Sequence, residues 1–191
     1  MKKGLLVSCL VVLTHLLFAC PALTEMSETQ ALQALRTGAA VLFLRHATAP
    51  GFGDPPGLVI DDCQTQRNLA EDGREQARLV GSFLRRQGIE TALVYSSQWC
   101  RCLETARLLG FGAVRELPAL NSFFAKPQRG PEQTRQLEMF LQEIAFGRPI
   151  ILVTHQVNIT AATGVYPASG EMIVYRPAPG GGGTVLGRFI P

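Results

Sequence analysis

Val41-Leu42-Phe43-Leu44 is an unbroken apolar run that stops abruptly at Arg45-His46-Ala47-Thr48. A strand with one solvated face alternates apolar and polar residues. A run that is apolar at every position needs both faces covered, as in a parallel sheet flanked by helices. Ile150-Ile151-Leu152-Val153 repeats the pattern and stops at Thr154-His155. Ala92-Leu93-Val94-Tyr95-Ser96-Ser97 is a third strand-like run, and it empties into Gln98-Trp99-Cys100-Arg101, where a helix is expected to begin. Parallel strands bring their carboxyl ends to one edge, and open α/β sheets bind ligands there. Arg45, His46, Arg101 and His155 all fall at that edge.

Amphipathic stretches separate the strands. Ser27-Glu28-Thr29-Gln30 is a capping box opening a short helix that Gly38 stops. Asn68-Leu69-Ala70-Glu71 opens a second, whose stripe of Ala77, Val80, Phe83 and Leu84 has helical spacing and whose end is Gly88. Pro131-Glu132 opens a third through Leu137, Phe140, Leu141 and Ile144. Ile159 to Thr163 gives one or two helical turns closed by Gly164, and Glu171–Tyr175 and Thr184–Ile190 read as two further strands. The alternation predicts one α/β domain over residues 27–191, a three-layer α/β/α sandwich around a mostly parallel sheet. Two stretches lack any period. Ala49 to Gly57, rich in Gly and Pro, follows the Arg-His pair and is expected to form one wall of a site. Pro118 to Pro131 contains Asn121-Ser122-Phe123-Phe124, whose adjacent aromatics serve either as core or as pocket lining.

The first 22 residues read as a targeting segment. Lys2 and Lys3 precede an apolar stretch from Leu5 to Ala19 that is too short for a comfortable membrane span. Two processing routes stay open. Cleavage after Ala22 releases a periplasmic or secreted protein. Alternatively, Leu17-Phe18-Ala19-Cys20 acts as a lipobox, cleaved before Cys20 to leave a membrane-anchored lipoprotein, although Phe18 is bulky for that motif. Either route exposes the chain to oxidant, so one disulfide is expected, joining Cys63 to Cys100 or to Cys102. Residues 100 and 102 point about 200° apart on a helix, so only one of them can reach Cys63.

Several chemistries are disfavoured. A net charge of +3 with no lysine or arginine block argues against a nucleic-acid partner. Asp61-Asp62 supplies fewer oxygen ligands than a hard cation needs. The cysteines lack the second close pair or neighbouring histidine of a zinc site. No metal and no organic cofactor is expected. What remains is imidazole, which works as nucleophile or proton carrier near neutral pH, and guanidinium, whose planar fork fits phosphate oxygens.

The order strand–Arg–His, then Ser–Ser–x–x–x–Arg, then strand–Thr–His resembles the histidine phosphatase superfamily, the phosphoglycerate mutase-like fold. Arg45-His46-Ala47 stands where that family has Arg-His-Gly. Leu69-Ala70-Glu71-Asp72-Gly73-Arg74-Glu75-Gln76-Ala77 is similar to its Leu-Thr-x-x-Gly-x-x-Gln-Ala helix start. Tyr95-Ser96-Ser97-Gln98-Trp99-Cys100-Arg101-Cys102-Leu103-Glu104-Thr105-Ala106 is similar to its Ser-Ser-…-Arg-…-Thr-Ala segment, and Val153-Thr154-His155 to its second-histidine motif. The resemblance implies a phosphatase in which His46 forms a phosphohistidine while Arg45, Arg101 and His155 grip the phosphoryl oxygens. The backbone N–H of Gln156, just past the strand end, is expected to add a donor.

The chain departs from the family in three places. Ala47 replaces Gly, tolerable if its backbone angle is ordinary. Phe52 stands where relatives have an Asn. Leu120-Asn121-Ser122-Phe123 lacks the carboxylate that many relatives carry there, so the leaving group must be protonated from elsewhere. Asp54 is the first candidate and Glu116 the second; without an acid, substrates with good leaving groups are favoured. The expected partner is a small phosphorylated compound. Exported relatives that act on lipopolysaccharide core sugars point to an envelope phosphoester, and export disfavours mutase chemistry on glycolytic intermediates. The alternative is an exported phosphate-binding module with little turnover.

Overall fold

The computed structural model describes residues 27–191, so the predicted targeting segment lies outside the described residues. Six strands form one sheet: β1 (Val41–Arg45), β2 (Leu93–Ser96), β3 (Val114–Glu116), β4 (Ile150–Thr154), β5 (Met172–Pro177) and β6 (Gly183–Phe189). Their order is β3-β2-β4-β1-β5-β6. The β3-β2-β4-β1 part is parallel, while β5 and β6 add antiparallel. Among the described residues five helices accompany the sheet: α1 (Glu28–Arg36), α2 (Glu71–Arg86), α3 (Cys100–Leu108), α4 (Gly130–Glu143) and α5 (Gln156–Thr163). Among the described residues no helix is long and apolar enough to cross a membrane.

The apolar runs behave as their composition requires. Val41 and Phe43 face one layer with Leu137 and Leu141 of α4 and Ile159 of α5. Leu42 and Leu44 face the other, with Leu35 of α1, Val80 and Leu84 of α2, and Ala106 of α3. Val41, Leu42, Phe43 and Leu44 of β1 are fully buried, as are Ile150, Ile151, Leu152 and Val153 of β4. Burying a side chain of this size stabilises by roughly 1.5–3 kcal/mol, so the two central strands carry much of the sandwich.

Ser27 and Gln30 form the capping box of α1, both bonds present. The sequence pattern did not reveal β3, a three-residue parallel strand at the sheet edge: it is too short to show a period, and its burial is slight. Pro118–Pro131, read as irregular, contains two 3-10 turns, Pro118–Leu120 and Pro127–Arg129. Cys63 pairs with Cys100, and Cys102 is a buried free thiol. The bridge ties the loop before α2 to the first residue of α3. Gln66 reinforces the same junction, its side-chain oxygen accepting from the Cys100 backbone N–H at 3.0 Å.

Reducing the bridge, or Cys63→Ser, should lower the unfolding free energy by about 3–4 kcal/mol, given the 37-residue separation. Denaturant midpoints with and without reductant measure this.

Candidate active site

The site is built by strand register. Arg45 of β1 lies opposite Thr154 of β4 in a parallel pair, so the next residues, His46 and His155, leave adjacent strands at the same level. The backbone N–H of His46 donates to the Thr154 carbonyl at 2.9 Å. The two imidazole centroids are 5.5 Å apart and edge-on. Ser96 of β2 pairs with Val153 of β4, so β2 ends beside the same edge and launches α3, which carries Arg101.

Arg101 is the hub. Its Nε donates to His46 Nε2 at 3.2 Å, Nη2 meets His155 Nδ1 at 3.3 Å, and Nη1 donates to Asp54 Oδ1 at 2.6 Å. The guanidinium is buried, and Asp54 is its ion-pair partner. The indole N–H of Trp99 donates to the other Asp54 oxygen at 3.1 Å. Thus Asp54, predicted from the irregular loop, reaches the centre of the site. Glu116 does not: it sits at the end of β3, lines a separate depression, and accepts from the Gln98 side chain at 3.2 Å.

Both imidazoles have defined roles. His46 Nδ1 lies 2.8 Å from the Ala47 carbonyl, an acceptor, so Nδ1 carries the proton and Nε2 the lone pair. Burial first, then the Arg101 charge, hold His46 down to about 3. Burial, followed by Arg101 and His46, also holds His155 well below its ordinary value. His155 Nδ1 faces an arginine donor, so its proton sits on Nε2, which meets Ser97 Oγ at 2.8 Å. Cys102 packs beside it, 3.5 Å from Nε2, with its thiol pushed up to about 12 by burial, hence unreactive.

The motif residues support these groups. Thr105 Oγ1 donates to the Arg101 carbonyl at 2.7 Å and accepts from the Ala47 N–H at 3.1 Å, joining α3 to the backbone after His46. Gln76 accepts from the Thr48 N–H at 3.0 Å and donates to the Ser169 carbonyl at 2.9 Å. A Cβ on Gly73 would lie 2.0 Å from the Thr48 carbonyl oxygen, so α2 can seat against this loop only through glycine. No non-glycine residue among those described has a positive φ, so Ala47 substitutes for Gly without strain.

A cleft of about 310 Å³ opens above these groups, lined by Arg45, His46, Asp54, Arg101, His155 and Gln156 among others. Gln156 is the first residue of α5, whose N-cap His155 makes no capping bond, so the free N–H groups of that helix end border the cleft. Sequence reasoning missed Arg67, which also lines it and donates to the carbonyls of Gly53, at 2.9 Å, and Ala49. Its signal was an arginine in a polar turn two residues before the Leu69 motif. Also missed was the segment before β5: the Pro167 carbonyl accepts from Arg45 Nη1 at 2.8 Å and orients it. Burial lowers Arg45 and Arg67 from their ordinary values, but guanidinium stays cationic at neutral pH.

The model of the histidine phosphatase superfamily, branch 1, matches residues 41–124. Over these residues the chain is similar to this superfamily. Its fold is similar to that of the protein histidine phosphatase SixA complexed with tungstate, at 16% identity and TM-score 0.57, covering 80% of this chain and 97% of that one. It is also similar to mycobacterial glucosyl-3-phosphoglycerate phosphatase, at 17% identity and TM-score 0.53, covering 72% and 89%. Mycobacterial hydrolase 1 matches at 17% identity and TM-score 0.54, covering 77% and 96%. No curated protein sequence matches it.

The two lowered imidazoles make stability depend on pH. Unfolded, both histidines bind protons below about pH 6.5; folded, His46 stays neutral until about pH 3. Their contribution is complete above pH 6.5 and is lost as pH falls towards 3. The denaturant midpoint of the ligand-free protein is therefore expected to drop between pH 7 and pH 4, with a shallower slope in His46→Gln.

Proposed function

We propose that this protein is a phosphatase that hydrolyses a phosphorylated small molecule through a phosphohistidine on His46, without a metal. The observation that carries the reading is the Arg101 fork, which holds His46, His155 and Asp54 around one point. A neutral imidazole with its lone pair aimed into a cationic cleft is a competent nucleophile.

In the first displacement, His46 Nε2 attacks phosphorus, the P–N bond forms and the bond to the leaving oxygen breaks. Arg101 hands its N–H groups from the histidines and Asp54 to phosphoryl oxygens. Arg45, Arg67 and the amide of Gln156 add donors, and charge spread over the equatorial oxygens is stabilised electrostatically. A bound dianion favours the protonated form of His155, which then donates to the phosphoryl group. Asp54, released by Arg101 as the dianion enters, takes up a proton from solvent and passes it to the leaving oxygen. In the second displacement water attacks the phosphohistidine, Asp54 takes the water proton, and the P–N bond breaks to regenerate neutral His46. Tungstate held by a structural relative supports an oxyanion as occupant.

Export is part of the proposal. The Lys2-Lys3 start and its apolar stretch read as a signal segment, and the Cys63–Cys100 disulfide suits an oxidising compartment. An envelope phosphoester is then the substrate class to test first.

His46→Ala is expected to abolish turnover of an activated aryl phosphate and the acid-labile phosphoprotein trapped on rapid quench. Phosphate bound once, with no turnover by the unaltered protein, would instead identify a binding module. Asp54→Asn keeps an acceptor for Arg101. It should reduce turnover of an alkyl phosphate by about 10²–10⁴-fold while sparing an aryl phosphate whose leaving group needs no proton. Equal loss on both substrates rules Asp54 out as the acid.

A further inference from the structure

The floor of the cleft is buried and cationic, but its rim is aromatic. Phe52 is 87% exposed, Tyr166 69% and Phe124 39%, and all three line the same cleft as the buried His46 and Arg101. Scattered exposed apolar residues need no explanation, but three rings around one phosphate-sized site do. Phe52 and Phe124 meet edge to face, with centroids 5.0 Å apart. The loop beneath Phe52 is held in place. Gly51 and Gly53, on either side, take φ values of +91° and +68° that only glycine adopts readily, and Arg67 binds the carbonyls of both Ala49 and Gly53. An 87% exposed phenylalanine adds little to the fold, yet its backbone is fastened to the site.

In-line attack fixes where the leaving group goes. With His46 at the floor, the departing oxygen lies on the opposite side of phosphorus, towards the mouth and these rings. We propose that the rim is a subsite for a planar aromatic leaving group, and that the substrates are phosphate esters whose alcohol carries an aromatic or heteroaromatic ring. The assignment rests on the phosphatase reading above. A sugar would need several polar side chains at the rim; beyond the charged and imidazole groups around the phosphate position, the lining offers Ser122, Gln156 and the Tyr166 hydroxyl. Planar rings bind aromatic side chains by stacking, with tolerance for ring type.

Calorimetric titration with methylphosphonate, benzylphosphonate and n-hexylphosphonate isolates the subsite, because none has a leaving group. Benzylphosphonate should bind at least about tenfold more tightly than methylphosphonate, and several-fold more tightly than n-hexylphosphonate. In Phe52→Ala/Phe124→Ala, both positions being exposed, benzyl and methyl compounds should bind within about twofold of each other. A benzyl-to-methyl ratio near one in the unaltered protein, a ratio that survives the double substitution, or equal binding of the hexyl compound overturns the assignment. Hydrolysis is assayed separately with an activated aryl phosphate and with acetyl phosphate, which has no ring. Hydrolysis without ring preference leaves the phosphatase reading standing and overturns the subsite. Ring preference without hydrolysis leaves the aromatic subsite standing and overturns the phosphatase reading.

Discussion

The parallel pairing of β1 with β4 governs the site. Because Arg45 sits opposite Thr154, the residue after each strand is a histidine at the same height. A slip of one residue would turn either imidazole to the other face of the sheet. Register here is secured by the doubly buried apolar runs, whose alternate residues enter two separate cores. The same residues that stabilise the sandwich therefore align the chemistry, and the distance between the rings follows from the sheet rather than from loops.

Arg101 converts that alignment into a charged centre. A buried guanidinium is costly unless its donors are used, and here each terminal and internal nitrogen has an acceptor: two histidine lone pairs and one carboxylate. The arrangement keeps the imidazoles neutral and the cation satisfied while the cleft is free. In the proposed reaction an entering oxyanion replaces those acceptors with its own, so the ligand-free network would prefigure the bound one. The disulfide, Gln66 and Thr105 all hold the start of α3 or the backbone facing it, because a small shift of that helix end would misplace three contacts at once.

The motifs that resemble the family turn out to have separable physical duties. Gly73 and Gln76 make no contact with the reacting groups; they seat α2 against Thr48, two residues after His46. Ser97 orients His155, and Thr105 fastens Ala47. Departures fall where chain geometry permits them: Ala47 at an ordinary backbone angle, and Phe52 on an exposed loop tip.

Local pattern alone determined the central strands, most helix starts, the layered α/β class and the four Arg and His positions, because double burial and helical spacing are written in consecutive residues. Asp54 was legible only as a carboxylate in a loop of unknown path. Tertiary structure decided the rest. It selected Cys100 over Cys102 for Cys63, since one faces the loop and the other the core beside His155. It recruited Arg67 and the Pro167 carbonyl, excluded Glu116, and gathered Phe52, Phe124 and Tyr166 at one rim. These depend on where aperiodic segments cross in space, and such crossings are set by contacts between residues far apart in the chain, which no local pattern encodes.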